Sequence, residues 1–232
     1  MKYFTLIIDL IKDLKLVYIN IKNSFYNFFL FIYEVISFYS NKNLRKIDFE
    51  FFKIYAIKDQ FTISIQESKE IFGINEEEFT YGEAVWTSFD KILKFINPPP
   101  NAIFYDLGCG IGRICFFTSI KYSLYSKGIE LLPTFIKNAN HIKNKFDVKN
   151  ILFIEDDWNK IDISDADIVY VATTCFDDFL LEKLTKKFEI LKKNTKIISV
   201  SNELKSDKIK LLKIISLPFS WGKADVYIME IK

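Results

Sequence analysis

Glycine is scarce in this chain of 232 residues. There are 7, and three of them, Gly108, Gly110 and Gly112, fall within the run FYDLGCGIGR at 104–113. Clustering of this kind in a glycine-poor chain marks a place where something approaches the backbone too closely for side chains to remain. Cysteine is scarcer still. Cys109, Cys115 and Cys175 are too few and too scattered for a disulfide framework or a zinc cluster, and free thiols fit a reducing compartment. The single histidine, His141, lies in a predicted helix and is expected to be exposed, so a His-dependent triad or a His-rich metal site is excluded. No proline precedes Pro98, and no repeat or low-complexity linker is visible. A formal net charge of +2 gives neither a strong field for nucleic acid nor an acidic character. Asp9, Lys12, Asp13 and Lys15 interrupt the apolar start, and no small-residue cleavage site follows, so a secretory signal is not expected.

What is abundant is apolar surface: 50% of residues are hydrophobic, enough for a large core. The sequence divides into an N-terminal helical region, 1–78, and an α/β region, 79–232. Within the first, residues 23–41 carry one charge, Glu34, over about the length of a membrane span. Asp9, Asp13, Asn20, Asn23, Asn27, Glu34 and Asn41 recur at helical spacing as one narrow polar stripe. A helix this apolar needs cover. Three destinations stay open: packing against the body or a second chain, contact with a membrane surface, and a true span. The expected location is the cytoplasm, with membrane association left open by this segment. The stretch IDFEFFKIYAI reads as helix or strand, FTISIQ alternates as a short strand does, and SKEIFGINEEEFT reads as a short helix followed by a loop.

From SFDKILKFIN, an amphipathic helix stopped by Pro98, Pro99 and Pro100, the pattern alternates. AIFYDL, SKGIEL, ILFIED, ADIVYVAT and TKIISVS read as strands. GRICFFTSIKYS, PTFIKNANHIKNKF and DDFLLEKLTKKFEILKK read as helices between them, and KIKLLKIISLPF with ADVYIMEIK reads as a closing strand pair. The fold class expected is α/β: a Rossmann-like, seven-strand, mostly parallel sheet with an antiparallel edge, plus an N-terminal helical extension.

In such sheets ligands sit at the carboxyl ends of strands. The glycine run lies there, but its spacing, D-x-G-x-G-x-G from Asp106 to Gly112, is not the G-x-G-x-x-G that receives a pyrophosphate. A carboxylate ahead of the glycines repels phosphate and attracts an ammonium. S-adenosylmethionine has no phosphate and carries an amine and a sulfonium. Glu130 ends the second strand, where it can accept from ribose hydroxyls. Asp157 and Trp158 follow the third, where one can accept from the adenine amine and the other cover the ring. A nicotinamide-type nucleotide, or a tight turn beside solvated strand ends, is the competing reading.

With these residues in place, FYDLGCGIGR, GIEL and FIEDDW together resemble the class I S-adenosylmethionine-dependent methyltransferases. TYGEAVWTSFDKIL, ADIVYVATTCFDD and SWGKADVYI resemble more narrowly the disruptor-of-telomeric-silencing family of non-SET histone-lysine methyltransferases. The resemblance covers about 79–228. It implies that Tyr81 and Glu83 belong to a loop over the methionine end, that Asp106 holds the methionine moiety, that Glu130 holds the ribose, and that Asp157 with Trp158 holds the adenine. No metal is implied. Where that family has Asn-Asn-Phe-Ala-Phe after its fourth strand, this chain has Ala172, Thr173, Thr174, Cys175 and Phe176. Where it has a threonine after Y-G-E, this chain has Ala84. The reaction implied is methyl transfer to a protein lysine, on a protein other than a histone. Tyr81, Phe176 and Trp221 are candidate walls of an aromatic channel, and Thr173 or Thr174 a candidate hydrogen-bond partner of the amine. Cys175 is expected to be a small buried thiol. A methyl acceptor in RNA or a small molecule is the alternative within the same chemistry, and a non-catalytic cofactor-binding or membrane-associated scaffold the alternative outside it.

Overall fold

Five short apolar segments form the parallel part of the sheet: β1 (Ile103–Leu107), β2 (Tyr125–Glu130), β3 (Ile151–Glu155), β4 (Ile168–Ala172) and β5 (Lys196–Val200). β6 (Ile209–Phe219) and β7 (Gly222–Ile231) form the closing hairpin, and the sheet order is β3-β2-β1-β4-β5-β7-β6. β7 runs antiparallel to both β5 and β6, so the antiparallel edge is where the sequence places it. A computed structural model of the chain describes residues 21–73 and 82–232. Strand order reverses between β1 and β4, which opens a crevice at their carboxyl ends.

Helices cover both faces. The helical residues 21–38, α1, lead into α2 (Lys42–Tyr55) and α3 (Gln60–Phe72); α4 (Trp86–Ile96), α5 (Arg113–Tyr122), α6 (Pro133–Lys145) and α7 (Asp178–Phe188) follow. α4 buries Trp86, Phe89, Ile92 and Leu93 completely, at the three- and four-residue intervals of one helix face. It ends on Asn97 at φ 49°, ahead of the prolines. Trp86 and Phe89 join Phe104 and Tyr170 of the sheet in one core, and Leu184 and Phe188 of α7 pack on the opposite face with Val169 and Ile197. Burying each large apolar side chain of this kind contributes about 2–3 kcal/mol.

The N-terminal helices share these cores. Phe38 and Leu44 pack with Trp86 and Phe117, while Ile47, Phe51 and Tyr55 pack with Phe116 and Phe135. The ambiguous IDFEFFKIYAI is helical through Tyr55, in α2, capped by Asn41, whose side chain accepts from the backbone N–H of Asn43 and Leu44. FTISIQ is also helical, against the strand expectation. Asp59 caps α3 through Thr62, and the residues buried behind it, Ile63, Ser64 and Ser68, are spaced for a helix; the alternation is too short to compete with that cap. The polar stripe read along the N-terminal segment is not one surface. Asn23 and Asn27 are exposed, Glu34 is buried, and Asn41 caps the next helix. Asp9, Asp13 and Asn20 lie outside the described residues.

Among the described residues no helix is long and apolar enough to cross a membrane. α1 nevertheless exposes Phe25, Phe28, Phe29, Tyr33 and Ile36. His141 is exposed on α6, as expected, 3.9 Å from Glu50.

Candidate active site

The carboxyl ends of β1, β2, β3 and β4 present the residues singled out from the sequence along one edge. Asp106 lies one residue before the end of β1, between Gly128 of β2 and Tyr170 of β4, and is 2% exposed. Its Oδ2 is 3.8 Å from the Cys115 thiol, and its Oδ1 is buried with no hydrogen-bond partner. Burial first, and Glu130 second, push its carboxyl up to about 8. A buried carboxylate oxygen without a partner is costly unless a ligand completes it.

The glycine loop that follows is held from β2: the backbone N–H groups of Gly108 and Cys109 both donate to the Ile129 carbonyl, at 2.9 and 3.0 Å. Gly108, Gly110 and Gly112 all have positive φ, at 80°, 52° and 82°. Their surroundings differ. A Cβ on Gly112 would strike the Phe153 ring at 2.5 Å, whereas a Cβ on Gly108 would meet nothing within 4 Å. Gly112 is therefore a packing requirement. Gly108 borders open space of the kind a ligand fills. Glu130, last residue of β2, accepts from the N–H groups of Gly110 (2.9 Å), Leu131 (2.7 Å) and Leu132 (3.1 Å). It fixes the loop and keeps lone pairs to spare.

Beyond β3, Asp157 Oδ1 accepts from both the backbone and the side-chain amide of Asn159, each at 2.9 Å, which leaves Oδ2 for a ligand. The Lys187 ammonium of α7 pins the same loop through the carbonyls of Asn159 and Ile161. The Trp158 ring lies parallel to that of Phe176, 12° apart in plane and 6.2 Å between centroids. Phe176, assigned from the sequence to an acceptor channel, thus stands with Trp158 beside the adenine candidate.

The other acceptor candidates separate. Thr173 is fully buried; its hydroxyl donates to the Val200 carbonyl at 2.6 Å, and Asn202 Nδ2 donates to its carbonyl at 2.8 Å. Its hydroxyl is spent on joining β4 to β5 and is not presented to an acceptor. Thr174 is exposed, with its hydroxyl 2.8 Å from that of Ser201. Cys175 is exposed, contrary to the buried thiol expected, because it sits in the loop past β4 and not in the sheet. Cys109 and Cys115 are the buried thiols, and burial raises both above the usual thiol range.

Tyr81 lies outside the described residues. Its neighbour Gly82 lies against Trp221, where a Cβ would be 2.5 Å from the indole ring. Glu83 is pinned to the β6–β7 turn in both directions: its N–H donates to Ser220 Oγ at 2.8 Å and its carbonyl accepts from the Ser220 N–H at 3.1 Å. Gly82 and Glu83 therefore meet Ser220 and Trp221, far apart from them in sequence. Glu83 Oε1 stands 3.5 Å from Arg113 Nε without a hydrogen bond, and burial, opposed by Arg113, raises its carboxyl to about 7.

Sequence reasoning missed the cluster around Arg113. The Arg113 guanidinium closes the glycine run, pairs with Glu34 (2.8 Å) and Asp48 (2.9 Å), and lies 4.3 Å over the Trp86 ring. The signal available was the lone charge at Glu34 in an apolar stretch; its partner is 79 residues away. With Arg113 committed to these carboxylates, it is not free to neutralise a pyrophosphate at the glycine loop. Two carboxylates, Asp106 and Glu130, sit there instead. These carboxylate acceptors fit a cationic amino acid moiety joined to a nucleoside, and do not fit a dinucleotide phosphate. Among the described residues no group of three or more metal-ligating side chains occurs.

The family described as histone methylation protein DOT1 matches residues 74–214, more than half of the chain. A histone-lysine N-methyltransferase, H3 lysine-79 specific, from Debaryomyces hansenii is 29% identical over 139 residues, which are 53% of this chain and 12% of that protein. The chain therefore spans a small part of that relative. Among solved structures, an RNA methyltransferase from Salinibacter ruber in complex with S-adenosyl-L-homocysteine superposes with a TM-score of 0.52 at 24% identity, covering 61% of this chain and 88% of that one. A putative methyltransferase, yhhF, from Escherichia coli gives 0.54 at 14% identity, covering 63% and 86%. These two likenesses establish the fold.

Proposed function

The chain belongs to the DOT1 histone methylation family, and from that membership we propose that it is an S-adenosylmethionine-dependent methyltransferase acting on the side-chain amine of a protein lysine. The observation that carries the cofactor is Asp106 Oδ1, a buried carboxylate oxygen with no partner at the strand-order reversal, beside the open space at Gly108. Bound S-adenosylmethionine supplies a methyl group already activated by its sulfonium.

The chain's own residues hold and shield that group. Asp106 receives the ammonium of the methionine moiety. Glu130 accepts from the ribose hydroxyls with the lone pairs its three backbone donors leave. Asp157 Oδ2 accepts from the adenine amine, and Trp158 with Phe176 covers the ring. Glu83 and the Trp221 indole, joined through Gly82 and Ser220, form the wall at the methionine end. A lysine must arrive there as a free amine. The wall sets it in line with the carbon. Thr174, exposed beside Ser201, offers a hydroxyl able to accept from that amine.

The acceptor protein is proposed to be other than a histone, because the run at the end of β4, Ala172–Cys175, carries no asparagine where the family has two. Incubation with cofactor labelled in the methyl group tests the reading, using histone octamers and cell lysate as acceptors. Labelled lysate proteins with unlabelled histones are expected. Label in RNA alone, or none in either, would remove the protein-lysine assignment.

For the partner surface we propose α1 and α2, facing an anionic membrane. Between residues 21 and 58 the acids Glu34, Asp48 and Glu50 are buried or half-buried and ion-paired, while Lys22, Lys42, Arg45, Lys46, Lys53 and Lys58 are all exposed. Exposed aromatics such as Phe28, Phe29 and Phe52 accompany them. Basic charge around inserted aromatic side chains suits an anionic lipid surface. The protein should co-sediment with vesicles of phosphatidylcholine containing phosphatidylglycerol and not with phosphatidylcholine alone. Equal recovery from both, or a stable dimer that binds neither, would give the surface to another partner.

A further inference from the structure

Three carboxylates converge on one guanidinium at the end of the glycine loop. Arg113, the first residue of α5, receives Glu34 of α1 on Nη2 at 2.8 Å, Asp48 of α2 on Nε at 2.9 Å, and Glu83 of the loop before α4 at 3.5 Å from Nε. The first two carboxylates are fully occupied. Glu34 Oε1 also accepts from the Thr87 N–H, and Asp48 Oδ2 from the Tyr39 hydroxyl at 2.7 Å. Glu83 is the surplus acid: its Oε1 is buried and has no hydrogen bond. The Arg113 side chain is 11% exposed and Glu34 4%. A buried ion cluster of this sort gives little net stability over an apolar replacement, since desolvation consumes most of the attraction. Its placement asks for a different explanation.

That explanation is positional. Gly112 immediately precedes Arg113, and the Trp86 indole N–H donates to the Arg113 carbonyl while its ring underlies the guanidinium. Arg113 thereby fixes the last turn of the glycine loop from two sides. We propose that Glu34 and Asp48 are positioning residues for the cofactor: by holding Arg113 they set the end of the glycine loop and the place and charge of Glu83, so that α1 and α2 are working parts of the cofactor site. This rests on the cofactor reading above and goes beyond it by giving the N-terminal helices a role in binding.

The charges around Glu83 come from every element packed on it: Arg113 of α5, which favours its ionised form, Asp48 of α2 and Glu34 of α1, which oppose it, and Tyr55 of α2, itself neutral over the working range. The variants therefore have opposite signatures. Binding of a cationic moiety needs Glu83 ionised. Arg113→Met removes the charge that favours ionisation, so the step in affinity for S-adenosylhomocysteine due to Glu83 should move to higher pH, with roughly a tenfold loss at pH 7. Glu34→Gln removes an opposing charge, so the step in the affinity profile due to Glu83 should move to lower pH while the rise due to Asp106 stays in place. Glu83→Gln should lose this component and keep the one due to Asp106. A purely structural role would lower affinity at all pH values without moving the profile. Calorimetry of the full chain across pH 6–9, with melting curves, reads these shifts. If Arg113→Met fails to fold, Glu34→Gln and Asp48→Asn still decide the matter, each by a shift to lower pH. Wild-type affinity and an unshifted profile in both would overturn the positioning role. Absence of binding by the wild type would overturn the cofactor reading itself.

Discussion

Replacing Asp106 by asparagine is expected to make the ligand-free protein more stable and the cofactor site nearly inactive. The carboxylate is 2% exposed, one oxygen is unpartnered, and its pKa stands at about 8. The folded state thus keeps a proton that the unfolded chain has released above the ordinary carboxylate range. The linkage sign follows: stability contributed by the protonated carboxyl is present in acid and drains away as pH rises from about 4 toward 8. The asparagine variant lacks that loss and should melt higher at neutral pH, by on the order of 3 kcal/mol in stability. Affinity for S-adenosylhomocysteine should fall by roughly a hundredfold, the worth of a charge-assisted hydrogen bond in a dry site. In the wild type, affinity should climb as pH rises toward 8 and Asp106 ionises. Differential scanning calorimetry and titration calorimetry read the two signs. A variant that melts lower and still binds would mean Asp106 is a structural group with a partner of its own.

The second large effect separates two glycines of one loop. Gly108 and Gly112 share a left-handed backbone, φ 80° and 82°, so alanine costs either about 1–2 kcal/mol in strain. At Gly112 the new Cβ would also press on Phe153 at 2.5 Å, with Ala139 behind it at 3.5 Å. Overpacking of that kind adds about 1–3 kcal/mol. At Gly108 the Cβ enters open space. Gly112→Ala should therefore lower the melting temperature strongly, while Gly108→Ala should keep most of the stability and lose cofactor binding. Equal melting losses would mean the space at Gly108 is not where a ligand comes.

Much of this site is legible in the sequence because its determinants are local. Asp106 and Glu130 lie in the last residues of β1 and β2, and the glycines and Asp157 just past β1 and β3, so each stands at a carboxyl end that a local strand pattern announces. What is not legible depends on distance. The Glu34–Arg113 pair spans 79 residues, and nothing near Arg113 announces that its charge is already spent. Trp158 and Phe176 are read separately, as an adenine cover and a channel wall, and become one stacked pair only when β3 and β4 bring their following loops together. Thr173 shows the opposite error. It occupies the right place after β4, yet β5 runs close enough for its hydroxyl to reach the Val200 carbonyl, so a candidate acceptor contact becomes a strand fastening. FTISIQ fails for a local reason: a short alternation loses to a capped helix.

Titration of the wild-type protein with S-adenosylhomocysteine and, separately, with a nicotinamide dinucleotide tests most directly whether the glycine run receives a cationic methionine moiety. Micromolar binding of the first and none of the second is the predicted result; tight binding of the dinucleotide with no response to S-adenosylhomocysteine would contradict it.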